Sequence, residues 1–305
     1  MSNSQIEVSV CIVTYNQADY IEKCLESVLE QVTDFDFEII IGDDYSTDGT
    51  RKILEIFKAS YPHINIVFRD ANIGASKNFL DIHSRATGKY VCHLDGDDYW
   101  LPGKLQKQYE FMENNLDCYV SWTRMYIYDE VTSRFFADSV KVELHPSSGF
   151  TVVDLIKGIG VGQHSSKMYR NSFKKMYSPD FGFLDLLAHI QNLDGGKSMY
   201  VSDEALGVYR EGVGISSNDK TSFLLANTLS FLSKHHEDYR NAISVRALIQ
   251  CFVALKLRKI NVFSMFLKIW VKNFTFTSFF EVIKMNRKNS LYKSSKGKKS
   301  VNEIT

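Results

Sequence analysis

Four runs of strand length alternate with helix-period segments over the first third of the chain, and this alternation restricts the fold most. Val8 to Thr14, Phe37 to Ile41, Ile64 to Phe68 and Tyr90 to Leu94 are short apolar runs rich in β-branched residues. Such runs read as strands buried on both faces. After the first, Tyr20, Ile21, Cys24, Leu25, Val28 and Leu29 recur at helical spacing, and Asp19 with Glu22 predicts a capping box. Ile53, Leu54, Ile56 and Phe57 form a second helical face, and Lys77 to Arg85 reads as a third helix. The class is therefore α/β: βαβ units, a mostly parallel sheet and right-handed crossovers.

The fourth run feeds into Asp95-Gly96-Asp97-Asp98-Tyr99-Trp100. In open α/β sheets, ligands bind outside the C-terminal ends of the strands. Carboxylates this close repel one another unless a cation lies among them, and hard oxygen ligands suit Mg²⁺ or Mn²⁺. Asp95 and Asp97 have the spacing to hold one divalent cation bridging phosphate oxygens, with Gly96 letting a ligand approach the backbone. The bland alternative is an acidic turn. Asp98 caps the Tyr99-Trp100 turn or lines the pocket. Asp44, at the end of the second strand, suits a base N–H or a ribose hydroxyl, whereas Asp48 suits an N-cap. Lys77, after Gly74, opens a helix at the same edge and is placed to neutralise a phosphate; a solvated surface lysine is the alternative. Arg69 is a second candidate. Gly-x-Gly-x-x-Gly and Gly-x-x-x-x-Gly-Lys-Ser/Thr are both absent, which removes the dinucleotide and P-loop readings.

Lysine plus arginine equals aspartate plus glutamate, so net charge points to no partner. The five cysteines form no C-x-x-C pair, and Cys11, Cys24 and Cys92 sit in apolar runs. They read as small buried hydrophobes in a reducing compartment, not as a disulfide scaffold or zinc site. Met1 to Glu7 carries no apolar signal segment, and no apolar stretch is long enough to span a bilayer. A cytoplasmic enzyme is expected.

Beyond Trp100, Lys104 to Asn114 reads as a helix and Cys118 to Tyr128 as an aromatic strand. Thr132 to Ser148 is a hairpin or an excursion. Thr151 to Lys157 and Asp185 to Asn192 read as helices, Met199 to Val201 and Gly207 to Arg210 as short strands, and 221–280 as helical. The expected organisation is a catalytic domain over 1–215, divided at 100, a helical segment over 216–286, and a basic flexible tail over 287–305. Between Lys256 and Lys299 the sole acid is Glu281, and aromatics from Phe263 to Phe280 interleave with the cations. Such a stretch suits peripheral contact with an anionic membrane. Helices packed on the catalytic domain with a basic outer face are the alternative, and no nucleic-acid-binding module accompanies the charge.

Four stretches, Val8 to Asn16, Ile41 to Thr50, Asn72 to Asn78 and Ala86 to Trp100, resemble in order and spacing the motifs of family 2 glycosyltransferases. The resemblance covers the first third of the chain. It implies a GT-A fold and inverting transfer from a nucleotide sugar, usually a UDP-sugar, to a glycan or lipid-linked acceptor, with Mg²⁺ or Mn²⁺. Residue by residue, Thr14 and Tyr15 resemble those bordering the base, Asp44 the aspartate that reads uracil, and Lys77 a diphosphate contact. Asp97 matches the direct metal ligand, with Asp95 beside it nearer the ribose. Tyr45 departs from the glycine usual at its position. The general base resembles Asp185, followed as in the family by Gly196, a short strand and Tyr209-Arg210. Asp180, Asp194 and Glu204 are its rivals. Arg210 is placed for the diphosphate, although Glu211 replaces the histidine that often follows. His164 falls where the family has a polar strand facing the acceptor; a structural histidine is the alternative. A sugar-1-phosphate nucleotidylyltransferase and a non-catalytic binding protein are the rival functions. The former's glycine-rich N-terminal signature is missing.

Overall fold

The computed structural model describes residues 5–171, 179, 182, 185–193, 195–212, 218–292 and 300–301. β1 (Val8–Thr14), α1 (Ile21–Leu29), β2 (Phe37–Asp43), α2 (Thr50–Ser60), β3 (Asn65–Phe68), α3 (Ala75–Ser84) and β4 (Tyr90–Asp95) form the alternating half. β3, β2, β1 and β4 lie side by side and all parallel, so the chain leaves β1 in both directions across the sheet. The C-terminal ends of β1, β2 and β4 thus meet at a topological switch point, where such sheets open a crevice.

Alternating side chains feed two cores. Val10, Ile12, Ile39, Ile41, Cys92 and Leu94 pack against Ile21, Leu25 and Val28 of α1 and Leu54 of α2. Cys11, Ile40 and Val91 face the other way, towards Phe79 and Ile82 of α3 and the C-terminal helices. Both faces are covered, which is why these strands are near-continuous apolar runs. The five cysteines are buried and unpaired to one another.

The second half wraps this sheet. β5 (Tyr99–Trp100) precedes α4 (Lys104–Asn114), and β6 (Cys118–Asp129) pairs with β7 (Arg134–Ala137) in a hairpin. A 3₁₀ turn at Val142–Leu144 leads to α5 (Val152–Lys157), which Thr151 and Asp154 close with a capping box. A second 3₁₀ turn, His164–Ser166, precedes β8 (Met168–Arg170), which bridges β4 and β6 antiparallel. After α6 (Asp185–Leu193), β9 (Lys197–Glu211) pairs with both β5 and β6. α7 (Asn218–His235), α8 (Arg240–Lys256), α9 (Ile260–Lys272) and α10 (Thr277–Tyr292) complete the chain, and β10 (Ser300–Val301) pairs with β7.

Four expectations are corrected. No side chain caps α1: Asp19 is exposed, and the Gln17 carbonyl accepts from the N–H groups of Tyr20 and Ile21. Ile56 points to solvent at 57% exposure, because Thr50 and Leu54 form the buried line of α2. The two short strands near 200 are one strand, held continuous by β6 across register shifts. The stretch expected to be tail from 287 instead continues α10 to Tyr292, with Ser300–Val301 in the sheet.

Candidate active site

The edge is built by stapling neighbouring loops. Asn16 donates its N–H to Ser46 Oγ (2.9 Å) and accepts at Oδ1 from the Thr47 N–H (2.8 Å). Asp48 accepts from the N–H groups of Ala18 and Thr50, both at 3.0 Å, and from the Thr50 hydroxyl, so it ties the β1–α1 loop to the first residue of α2, whose N-cap is Gly49 and not Asp48 as expected. Thr14 is buried and donates to Gln17 Oε1 at 2.8 Å, while Tyr15 and Tyr45 remain 42% and 43% exposed. Tyr45 has φ +68°, the left-handed region where glycine costs least. Its ring lies 5.2 Å from the Arg51 guanidinium.

Asp44 is 2% exposed, and its two oxygens accept from the N–H groups of Ile73 (2.8 Å) and Gly74 (2.9 Å). It therefore fixes the loop that starts α3. Lys77 projects exposed from the first turn, whereas the adjoining Asn78 is buried and donates to the Gly42 carbonyl at 2.8 Å. Arg69, the second basic candidate, is engaged in structure: it pairs with Asp81 and reaches Asn78 Oδ1 at 3.3 Å.

Register brings Asp95 opposite Val13 on β1, and the Gly96 N–H donates to the Val13 carbonyl at 3.0 Å. Gly96 has a different reason from the expected one. A Cβ there would stand 2.5 Å from Gln17 Oε1 and 2.9 Å from Thr14 Cβ, so the glycine lets β1's own end pack on the turn. Asp95 keeps a third of its side-chain surface accessible, Asp97 is partly exposed, and Asp98 is buried. Burial and the neighbouring Asp95 push Asp97 up to about 7. Burial, then Asp95 and Asp97, raise Asp98 well above the usual carboxylate range. Asp98 is a buttress: Ser165 Oγ donates to it, and the Arg210 N–H donates to its Oδ1 at 2.8 Å.

Behind Asp95 runs a buried chain of polar groups. His93 Nε2 lies 3.1 Å from Asp95 Oδ1, His83 Nε2 2.9 Å from His93 Nδ1, and the Tyr169 hydroxyl 2.6 Å from His83 Nδ1. Burial keeps His83 well below the ordinary imidazole range, hence neutral, while His93 beside Asp95 holds that carboxyl down against its desolvation.

Asp185 opens α6 with its side chain 60% exposed, and His164 Nε2 stands 3.8 Å from its Oδ1. Desolvation by the surrounding protein, then the charge of Asp95, raise its carboxyl. His164 itself is largely buried, its ring tilted against that of His93 at 3.9 Å, and has no hydrogen-bond partner at Nδ1. Asp180 and Asp194 lie outside the described residues. Glu204 is an exposed partner of Lys107. Arg210 lies in an aromatic cage, 5.0 Å from the Tyr20 ring and 5.5 Å from those of Tyr99 and Tyr128, with Nη1 2.9 Å from Glu130.

Sequence reasoning missed Ser165, the His83–Tyr169 chain and Lys167. Lys167 is fully buried and pushed down to about 7 by desolvation, with Nζ 3.3 Å from His189 and 3.4 Å from Asn192. His93 inside a strand buried on both faces was the available signal, because a buried imidazole needs partners. A cavity of about 940 Å³ bordered by Glu26, Leu29, Phe57 and Tyr61 opens between α1 and α2, away from this edge and from its carboxylates.

The edge can thus present two partly accessible carboxylates to a cation, exposed aromatics and an anchored aspartate to a planar group, and a separate carboxylate to a hydroxyl. Comparison with known proteins identifies the family. The family described as glycosyl transferase family 2 matches residues 9–176. TuaG of Bacillus subtilis (strain 168), assigned to teichuronic acid biosynthesis as a glycosyltransferase, is 34% identical over 222 residues, 72% of this chain and 84% of the relative. The dTDP-rhamnosyl transferase RfbG of Shigella flexneri is 38% identical over 116 residues, 36% of this chain and 40% of its own. Among solved structures, S. aureus TarS 1–349 in complex with UDP-GlcNAc superposes with a TM-score of 0.56 at 17% identity, covering 98% of this chain and 100% of that one. That likeness concerns the fold, which is the GT-A architecture expected from the sequence.

Proposed function

Because the chain belongs to glycosyl transferase family 2, we propose that it transfers a sugar from a UDP-sugar, with inversion, to a glycan or lipid-linked hydroxyl during bacterial surface-polysaccharide synthesis. It is a glycosyltransferase of polysaccharide biosynthesis, which sets aside the nucleotidylyltransferase and non-catalytic alternatives. One observation carries the finer reading: Thr14, Asp44, Asp95 and Asp97 share one sheet edge, with the Asp44 N–H donating to the Thr14 carbonyl at 3.0 Å. The UDP-GlcNAc bound by TarS favours uridine, and the name of RfbG is the reason to test dTDP-sugars beside it.

In this reading Tyr15 and Thr14 border the base and Asp44 accepts from it with the lone pairs that Ile73 and Gly74 leave over. Lys77 and Arg210 face the diphosphate. The carboxylates fit Mg²⁺ or Mn²⁺, since burial and then repulsion by Asp95 lift Asp97 to about 7, and a cation would favour its charged form. No group of three or more possible ligands is preformed among the described residues, so Asp97 and Asp95 would hold the ion with phosphate oxygens and water completing its shell. Bound there, it would offset charge gathering on the departing diphosphate. Asp185 takes the proton of the attacking hydroxyl, and its accessible carboxylate suits a base that meets an incoming acceptor. The basic C-terminal segment would keep the enzyme at the inner face of the cytoplasmic membrane.

The test is metal-dependent release of UDP across a panel of UDP- and dTDP-sugars, with Asp97→Ala beside the wild type. Release with one uridine donor, abolished in the variant, is expected. No turnover of any nucleotide sugar, or full turnover by Asp97→Ala, would overturn the reading.

A further inference from the structure

The corner where α9 meets α10 has its polarity reversed. Asn273 and Ser278 are buried, whereas Phe276 is 72%, Val271 61% and Phe280 55% exposed. The polar groups are occupied inward: the Ser233 hydroxyl donates to Asn273 Oδ1 (2.9 Å), and those of Thr275 and Thr277 donate to Asn241 Oδ1 on α8 (2.6 and 2.8 Å). Trp270 braces the turn from beneath, its ring edge-on to Phe274 at 5.3 Å and Phe279 at 5.4 Å. The apolar side chains are thus held outward by a rigid frame, a costly arrangement for a surface that meets only water.

Charge identifies what covers it. Lys268, Lys272 and Lys284 flank the corner and are exposed. Glu281, the sole acid between Lys256 and Lys299, is neutralised by Lys157 (2.5 Å) and Asn241 (2.6 Å). Aromatic side chains ringed by cations, with no opposing charge, complement a layer of acyl chains beneath anionic headgroups. No helix among the described residues is long and apolar enough to cross a membrane, so contact would be lateral. We propose that the α9–α10 corner docks on an anionic lipid bilayer through Val271, Phe276 and Phe280. The Glu281–Lys157 pair joins the corner to α5, from which residues 158–163 lead to His164 and Ser165 at the acidic edge. Docking would therefore orient the site towards the surface bearing a lipid-linked acceptor, a consequence that rests on the transfer reading above.

The full chain is sedimented with phosphatidylcholine vesicles with and without phosphatidylglycerol, while tryptophan emission reports Trp270, since Trp100 and Trp122 are buried. Binding to anionic vesicles with a blue shift is expected, falling roughly tenfold or more in Phe276→Ser/Phe280→Ser, and weakening as salt rises from about 0.1 M to about 1 M. Both residues are exposed, and circular dichroism checks the fold of the variant. Equal binding by the variant, equal binding to neutral vesicles, or none at all would overturn the proposal. So would a micromolar dimer abolished by the same substitutions, which would make a second copy the occupant. UDP release with a water-soluble acceptor, unchanged in the variant, separates the two readings: vesicle binding without any turnover would leave docking standing and transfer refuted.

Discussion

The carboxylates after β2 are held by neighbouring loops, whereas those after β4 and at the start of α6 look to distant partners. Asp44 and Asp48 are anchored by backbone N–H groups of adjoining loops, at 2.8–3.0 Å. Asp98 instead depends on Ser165 and Arg210, 67 and 112 positions later, and Asp185 stands exposed with a histidine nitrogen 3.8 Å away. Under the proposed transfer, an anchored Asp44 and an accessible Asp185 would match two tasks. One orients a fixed leaving group, and the other must admit a hydroxyl from outside.

The sharpest break of this contrast is at the cation. Asp97→Ala lowers turnover by on the order of 10³-fold while leaving the melting temperature within a degree or two of wild type, since Asp97 is partly exposed and its own repulsion by Asp95 is relieved. Asp185→Asn comes next: kcat falls by about 10²–10⁴-fold with donor KM unchanged, as stopped assays of UDP release would read. A rise in donor KM instead would place Asp185 on the nucleotide side. Asp44→Ala acts on the rigid side, removing two charge-assisted hydrogen bonds. It costs about 2 kcal/mol in urea unfolding and raises donor KM; an unchanged stability would refute its anchoring role.

A last test, of stability alone, concerns Lys104, buried with Nζ 2.6 Å from Gln108 and 4.0 Å from the Trp100 ring centre. Burial pushes it down to about 8, whereas an unfolded lysine titrates near ~10.4. Between those values the unfolded chain binds a proton that the folded protein does not, so this residue's contribution to stability rises with pH. Below about 8 the folded protein bears the cost of the buried ammonium. The stability of wild type relative to Lys104→Met therefore grows from about pH 8 to about pH 10, and a flat difference in urea titrations would contradict the burial.

The same contrast explains what could be read from the chain. The first four strands and the loops carrying Thr14, Asp44 and Asp95 announce themselves, because buried parallel strands need apolar runs and their ends need turn residues. β5 is two residues long and exists only through Gly207 and Val208 of β9, so no local pattern encodes it. The α1 capping box failed because the β1–α1 loop was already committed to Ser46, Asp48 and Thr50 across the edge. Ser165 gave no signal either, since a serine's partner 67 positions away leaves no mark on its own neighbourhood.

The reach of Asp98 also has a consequence for synthesis. A chain emerging from the ribosome pairs β1 with β4 only once Tyr90 to Asp95 have followed. Its acidic turn stays unfinished until Ser165, and then Arg210, have followed. Until then the Asp98 carboxyl lacks both of these partners, and burying it without them would be costly. The nascent chain therefore completes its acidic edge late, once β9 has been made.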